Sequence, residues 1–310
     1  MRLSSLERQL VQLSLPAPES MLSKPLPDAA RLIEMATRHS VLPIVSRNLG
    51  LPAPAGLVAA AGFTVLLRLR LEPIAQRLRE RGLAFAVLKG AEFADRLYPA
   101  PALRGFTDID LIVPREALAA VGEALKSLGY EHCVPKGLNH AEPYGEELWL
   151  PPGAGKFGVE IHWNLVNVPS VQRGVSVQFE DLQRDAAGRL SPASLLLIAA
   201  VHAAASHQFD RLGMLVDVRQ AAIGAAGKLD EAYLAETAAR TGSRLALVTA
   251  LDLAHRLWGD APCARQRSLF PPRPVDALAR LLITPGLVVR PASRMGGLRR
   301  RWFRELLKRR

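Results

Sequence analysis

The sequence predicts an α+β protein in which a small mixed β-sheet is flanked by helical regions on both sides. Three observations support this. Apolar residues recur at helical spacing through residues 6–80. Between residues 83 and 165 the pattern changes to short runs, 83–90, 107–114 and 156–165, in which apolar residues are continuous or alternate with polar ones. From residue 191 helical spacing returns.

Taken in order, Leu6, Leu10 and Leu13 open a first helical stripe. Asp28 stands as N-cap of a second helix, which contains Leu32, Ile33 and Met35. Residues 57–71 form a third apolar stretch that runs into QRLRERG, where Gly82 offers a C-terminal stop. Pro16, Pro18, Pro25, Pro27, Pro52 and Pro54 punctuate these pieces. LAFAVLKG then reads as a buried strand ending in a tight Lys-Gly turn, AEFADRLY as one or two helical turns, and PAPALRGF as a loop. TDIDLIVP is the second strand. Residues 115–128 are an amphipathic helix closed by Gly129, residues 138–152 a hairpin or loop region, and KFGVEIHWNL the third strand. Ser191, with Pro192 at the first helical position, opens SPASLLLIAAVHAAASH. Further helices are expected over 212–225, 229–241 and 243–258, and residues 261–292, rich in Pro and Arg, read as an irregular linker. The expected organisation is an N-terminal helical region (1–82), a sheet-bearing core (83–190), a C-terminal helical domain (191–285) and a basic amphipathic tail (286–310).

Composition narrows the function classes. With 310 residues, 49% hydrophobic and 22% charged, the chain is neither disordered nor fibrous. Cys133 and Cys263 cannot build a structural zinc site unaided and suggest a reducing, cytoplasmic setting. MRLSSLERQL has no secretory core, and the longest apolar stretches, 55–67 and 195–205, are too short to span a bilayer. The net charge of +11 is concentrated at one end: residues 290–310 hold nine basic residues against a single acid, Glu305. The charge is therefore weak support for a nucleic-acid-binding core.

The candidate chemistry centres on Asp108-Ile109-Asp110. On a strand Asp108 and Asp110 share one face while Ile109, Leu111 and Val113 point into the core. Two adjacent carboxylates either sit solvated at a strand end or hold a cation, for which oxygen ligands suit Mg²⁺ or Mn²⁺. Lys89-Gly90 ends the preceding strand. It is either a plain strand-to-helix turn or a phosphate-binding turn, with a helix starting at Ala91 presenting N–H groups. Glu160 and His162 share a face of the third strand; Glu160 is either a third metal-binding carboxylate or an acid paired to an arginine.

This order of elements resembles the polymerase-beta-like nucleotidyltransferase superfamily. Within it, FAVLKGAEFADRLYPAPALRGFTDIDLIVPREAL resembles the uncharacterised bacterial nucleotidyltransferase family. The matching elements are Lys89-Gly90, Leu97-Tyr98, Arg104 and Asp108-Ile109-Asp110-Leu111-Ile112-Val113. VEIHW at 159–163 and the helices with His202, His207 and Asp217 are similar too, so that the resemblance covers roughly residues 28–220. Ala91 departs from the superfamily, which commonly has a serine or glycine after the turn glycine. The resemblance implies metal-binding and catalytic roles for Asp108, Asp110 and Glu160, and phosphate-binding roles for Lys89, Gly90, Ala91 and Arg104. It implies a Mg²⁺-dependent transfer of a nucleoside monophosphate from an NTP, with ATP the first candidate, to an acceptor hydroxyl on a small molecule, peptide or protein. For Arg104 the alternative is an ion pair with one of the two aspartates.

Three features stay open. His202, in a very apolar run, reads as a core histidine; His207 and His162 are candidates to line the cleft. The tail GGLRRRWFRELLKRR repeats Leu298, Trp302, Phe303, Leu306 and Leu307 at helical spacing. It either packs Trp302 and Leu306 on the body or contacts an anionic membrane, which would place the protein peripherally at the inner membrane face; nucleic acid is the weaker alternative. A different class of function, a non-catalytic nucleotide- or partner-binding module docked through that basic helix, is the alternative to the enzyme.

Overall fold

The computed structural model describes residues 3–16, 28–51, 55–134, 144–153 and 158–309. Five strands form one mixed sheet: β1 (Ala86–Val87), β2 (Ile109–Ile112), β3 (Glu131–Cys133), β4 (Glu146–Leu150) and β5 (Val159–His162), in the order β1-β2-β5-β4-β3. β2 and β5 are parallel and the other pairs antiparallel. The α+β expectation holds, and all three expected strands are present. β4 falls within the region expected to be a hairpin or loop, of which residues 138–143 lie outside the described residues.

Strand alternation sorts the sheet into two faces. Ile109, Leu111, Val159 and Ile161, none more than 4% exposed, pack with Leu67, Ile74 and Leu78 of the helix Ala55–Glu80 and Val121 and Leu125 of Leu118–Ser127. Burial of each such side chain stabilises by about 1.5–3 kcal/mol. The other face carries Asp110, Ile112, Glu160 and His162. Ile112 belongs to a second apolar cluster built mainly from the C-terminal helices.

The helices Ser5–Leu13, Ala29–Arg38 and Leu42–Asn48 also join that second cluster, through Leu10, Leu32 and Ile44. Residues expected to form one N-terminal helical region therefore divide between the two clusters. Asp28 does cap Ala29–Arg38, its Oδ1 accepting from the Arg31 N–H at 3.0 Å.

In the C-terminal bundle, Pro192–Val201 is buried on every side. It runs into a π-helical turn, His202–Ser206, and then into Gln208 and Phe209 with φ of 44° and 58°. Left-handed backbone is costly at a bulky residue such as Phe209. The helices Leu212–Ala225, Glu231–Arg240 and Arg244–Trp258 follow, the last ending on Gly259 at φ 77°.

The expected linker 261–292 is instead mostly helical: Ala261–Ser268, Pro274–Leu282 and Pro285–Val289. Each has proline in its first turn, where the missing N–H costs nothing and φ is already helical. The prolines that read as breaks are helix starts. The tail forms the helix Arg294–Leu307, capped by the Ser293 hydroxyl on the Gly296 N–H. Phe303 and Leu307 are buried and Leu306 packs partly buried beside them, as expected of Leu306, whereas Trp302, expected to pack as well, is 63% exposed. Its end lies close on Gly174, where a Cβ would fall 2.1 Å from the Leu307 carbonyl oxygen. No helix among the described residues is long and apolar enough to cross a membrane.

Candidate active site

The parallel pairing of β2 and β5 sets Asp110 opposite Glu160 and Ile112 opposite His162. Partners in a parallel register leave the sheet on one face, so the two acids stand side by side. β4 places Glu146 opposite His162. One donor atom from each of Asp110, Glu160 and His162 lies within 4.8 Å of the other two.

Asp110 is the hub. It is 2% exposed, and its Oδ1 accepts from Lys89 Nζ at 2.8 Å and from His162 Nε2 at 3.0 Å. Burial would push its carboxyl up, but the Lys89 ammonium and the His162 ring outweigh burial and hold it well below the usual range. Burial likewise works against the charge on Lys89, and Asp110 more than restores it. His162 is pushed up to about 9: burial opposes the imidazolium, but the Asp110 hydrogen bond and Glu160, 3.6 Å away, prevail. Its Nδ1 lies 3.2 Å from Glu146 Oε2 but is not aligned for a hydrogen bond.

Asp108 sits one residue ahead of β2 and half-buried, outside the 4.8 Å group. Burial and the charge of Asp110, aided by Glu160 and opposed by Lys89, push its carboxyl to about 6. His162 thus takes the third place in the tight cluster, and Asp108 borders it.

The Lys-Gly turn is strained. Lys89 has φ 34°, Gly90 φ 22° and ψ −112°. A side chain at Gly90 would be disfavoured by that φ, and its Cβ would fall 3.4 Å from the Phe106 ring. Ala91 follows, buried, as the helix Lys89–Arg96 continues. Backbone outliers of this kind cluster where a site over-determines them. Here the turn directs the Lys89 ammonium onto Asp110.

Arg104 pairs with neither Asp108 nor Asp110. Its Nε and Nη2 donate to the two carboxylate oxygens of Asp217, both at 2.9 Å, and its Nη1 donates to the Gly90 carbonyl at 3.3 Å. Tyr98 donates to Asp217 Oδ1 at 2.6 Å, and the guanidinium lies over Phe93. Burial acts against the Arg104 charge and Asp217 overcomes it. The arginine ties the Lys-Gly turn to the helix Leu212–Ala225. Its partner lies 113 residues away in sequence, which no local pattern shows.

His207 is half-buried, with Nδ1 3.7 Å from Asp210 Oδ1 and its ring edge-on to His202 at 4.7 Å. His202 is half-buried rather than in the core. Burial, the charge of Lys89 and His207 hold it well below the usual histidine range, so the ring is neutral. The influence of Lys89 and Asp110 on this ring puts the π-helical turn beside the acid cluster. Glu146, Asp217 and His202 are thus additions to the site.

The residues fit a divalent cation. Carboxylate oxygens of Asp110 and Glu160 suit Mg²⁺ or Mn²⁺, with His162 beside them as a positively charged partner of Asp110. Burial first and the Asp110 charge second hold the Asp108 carboxyl up, and a cation beside the two aspartates would offset the second effect.

A family model described as uncharacterised nucleotidyltransferase matches residues 25–259. No curated protein sequence matches the chain. Among solved structures, a solution structure of the antibiotic-resistance factor ANT(2″)-Ia is similar over 57% of this chain and 94% of its own, at 17% identity and a TM-score of 0.38. The family match takes in about three quarters of the chain and ends on the Gly259 cap of Arg244–Trp258, and the protein accordingly belongs to the uncharacterised nucleotidyltransferase family, an enzyme of nucleotidyl transfer.

Proposed function

We propose that this enzyme moves a nucleoside monophosphate from an NTP, with ATP the first candidate, to a hydroxyl of a small-molecule, peptide or protein acceptor. The acceptor oxygen attacks the α-phosphorus, the bond to the bridging oxygen of the β-phosphate breaks, and pyrophosphate leaves. The observation that carries this reading is the side-by-side register of Asp110 and Glu160, with Asp108 at the strand edge and the Lys-Gly turn next to it.

Asp108, Asp110 and Glu160 would hold Mg²⁺ or Mn²⁺, which when bound supplies Lewis-acid stabilisation of charge on the phosphates. Glu160, the least buried member of the tight cluster, takes the acceptor proton. His162 keeps Asp110 oriented and ionised. Lys89 offers a point charge within reach of the cluster, and the turn at Gly90 and Ala91 presents backbone N–H groups to the phosphates. Arg104 acts by positioning the turn through its contact with the Gly90 carbonyl rather than by binding phosphate. The free cysteines Cys133 and Cys263 fit a reducing, cytoplasmic setting.

Calorimetry with ATP and GTP, with and without Mg²⁺, tests this together with an assay of pyrophosphate release. Metal-dependent binding followed by release is expected. Asp108→Asn should lower turnover at least about a hundredfold, as loss of a group that stabilises developing charge does, with little loss of folding. Full activity in that variant would remove Asp108 from the mechanism.

A further inference from the structure

Five large apolar side chains project from the C-terminal part of the fold. Met295, Leu298 and Trp302 are 66%, 50% and 63% exposed, and Leu278 and Leu281 are 45% and 72% exposed. The first three repeat at steps of three and four along Arg294–Leu307 and so form one stripe. Leu281 borders it, because Arg299 of the same helix donates to the Leu281 carbonyl. The opposite side of the helix is fixed to the body. Phe303 and Leu307 are buried there, Arg300 donates to the carbonyls of Gln208, Phe209 and Leu287, and Arg304 to the Gln208 side chain. The apolar stripe is thus held outward by a docked helix.

The charge beside the stripe is mostly positive. Arg294 and Arg301 on this helix and Arg309 just beyond its end are exposed, Arg280 on Pro274–Leu282 is exposed and pairs with Asp252, and the acid of the helix, Glu305, is paired with Lys308. We propose that this face docks the protein on an anionic membrane surface. Both halves of the chemistry are used there. Met295, Leu298 and Trp302 enter the boundary between headgroups and acyl chains, and the guanidiniums stay at the anionic headgroups. Tryptophan is a favoured side chain at that depth. Each arginine near such a surface strengthens binding about fivefold. A nucleic-acid backbone would satisfy the arginines but leave the apolar stripe in water.

The full chain is tested by flotation with phosphatidylcholine vesicles, either pure or containing about a third phosphatidylglycerol, enough to attract polybasic segments. Flotation only with the anionic vesicles is expected, with a blue shift of tryptophan emission. It should weaken as salt rises from about 0.1 to about 0.5 M, which shortens electrostatic reach from about 10 Å toward about 4 Å. The double variant Leu298→Glu, Trp302→Glu should lose affinity about tenfold or more while keeping the melting temperature and Mg²⁺·ATP affinity of the wild type. Should it unfold, Arg294→Ser with Arg301→Ser and Arg309→Ser carries the same expectation. No flotation, equal flotation on neutral vesicles, or unchanged flotation of the variants overturns the proposal. So does a wild-type dimer that the double variant dissociates, since a second copy would then cover the face. Duplex DNA that displaces the vesicles and binds the double variant as tightly as the wild type also overturns it.

Discussion

The Arg104–Asp217 pair offers the sharpest test of how the site is held. Asp217 is 5% exposed and accepts three hydrogen bonds, two from Arg104 and one from Tyr98. Asp217→Asn keeps the size of the side chain and removes its charge, so no cavity enters the comparison. It strands a buried guanidinium, whose side chain is 14% exposed, opposite an amide that donates where the carboxylate accepted. Breaking a buried pair from one side costs about 3–5 kcal/mol. That is a large share of a total stability of about 5–15 kcal/mol. With a urea m-value of about 3 kcal/mol/M, the unfolding midpoint should fall by about 1 M or more. The double variant Arg104→Met, Asp217→Leu removes both charges and should recover at least half of the loss. A loss under about 1 kcal/mol for Asp217→Asn would refute the reasoning, and so would a double variant no more stable than the single one.

Three further outcomes are expected. His39 is 1% exposed; it accepts from the Leu212 N–H at Nδ1 and contacts the Val289 carbonyl through Nε2, so the neutral ring satisfies both. Burial, aided by Arg38, lowers it to about 4. Above about pH 6.5 both folded and unfolded states hold it neutral; below, only the unfolded chain takes the proton, so stability should fall by up to about 3 kcal/mol between pH 6.5 and pH 4. NMR that shows the ring titrating near 6.5 would exclude this. Phe303→Ala empties a fully buried place against Phe209 and should cost about 3–5 kcal/mol in thermal or denaturant unfolding, whereas a helix that merely rests on the surface would lose under about 1 kcal/mol. Mn²⁺ at about a hundred times its dissociation constant should stabilise the protein by about 2.7 kcal/mol, and Glu160→Gln should abolish that gain; its survival in the variant would place the ion elsewhere.

The sequence made the central strands legible because alternation is a local signal. Asp108-Ile109-Asp110 and Val159-Glu160-Ile161-His162 showed their two faces directly. The parallel pairing that joins them is not local, and only the fold sets Asp110 opposite Glu160. β3, an edge strand with Glu131 and His132 exposed, carries no alternation to read. The prolines between 261 and 292 were legible as punctuation but ambiguous, since the residue that stops one helix is well suited to start another. The tail was recognisable as an amphipathic helix, yet Trp302 and Phe303 are neighbours about 100° apart. Which of them turns inward depends on Phe209 and Gly174, far away in sequence. Arg104 was legible as a functional arginine, but its partner was not.

The charges of the site explain why these placements belong together. Four carboxyl groups, Asp108, Asp110, Glu146 and Glu160, gather around two cations, Lys89 and His162. Acidic groups outnumber cationic ones there, an arrangement that suits a divalent cation. Arg104 does not redress the balance, because Asp217 claims its two-pronged contact. On the proposed reaction, positive charge for a triphosphate would then come from Lys89 and a divalent cation held by the carboxylates. Lys89 shares Asp110 Oδ1 with His162, so the ammonium can leave for a phosphate oxygen while His162 keeps the carboxylate in place. On the proposed reaction, a histidine two residues beyond the glutamate would act as the fixed counter-charge that lets the lysine turn to a phosphate.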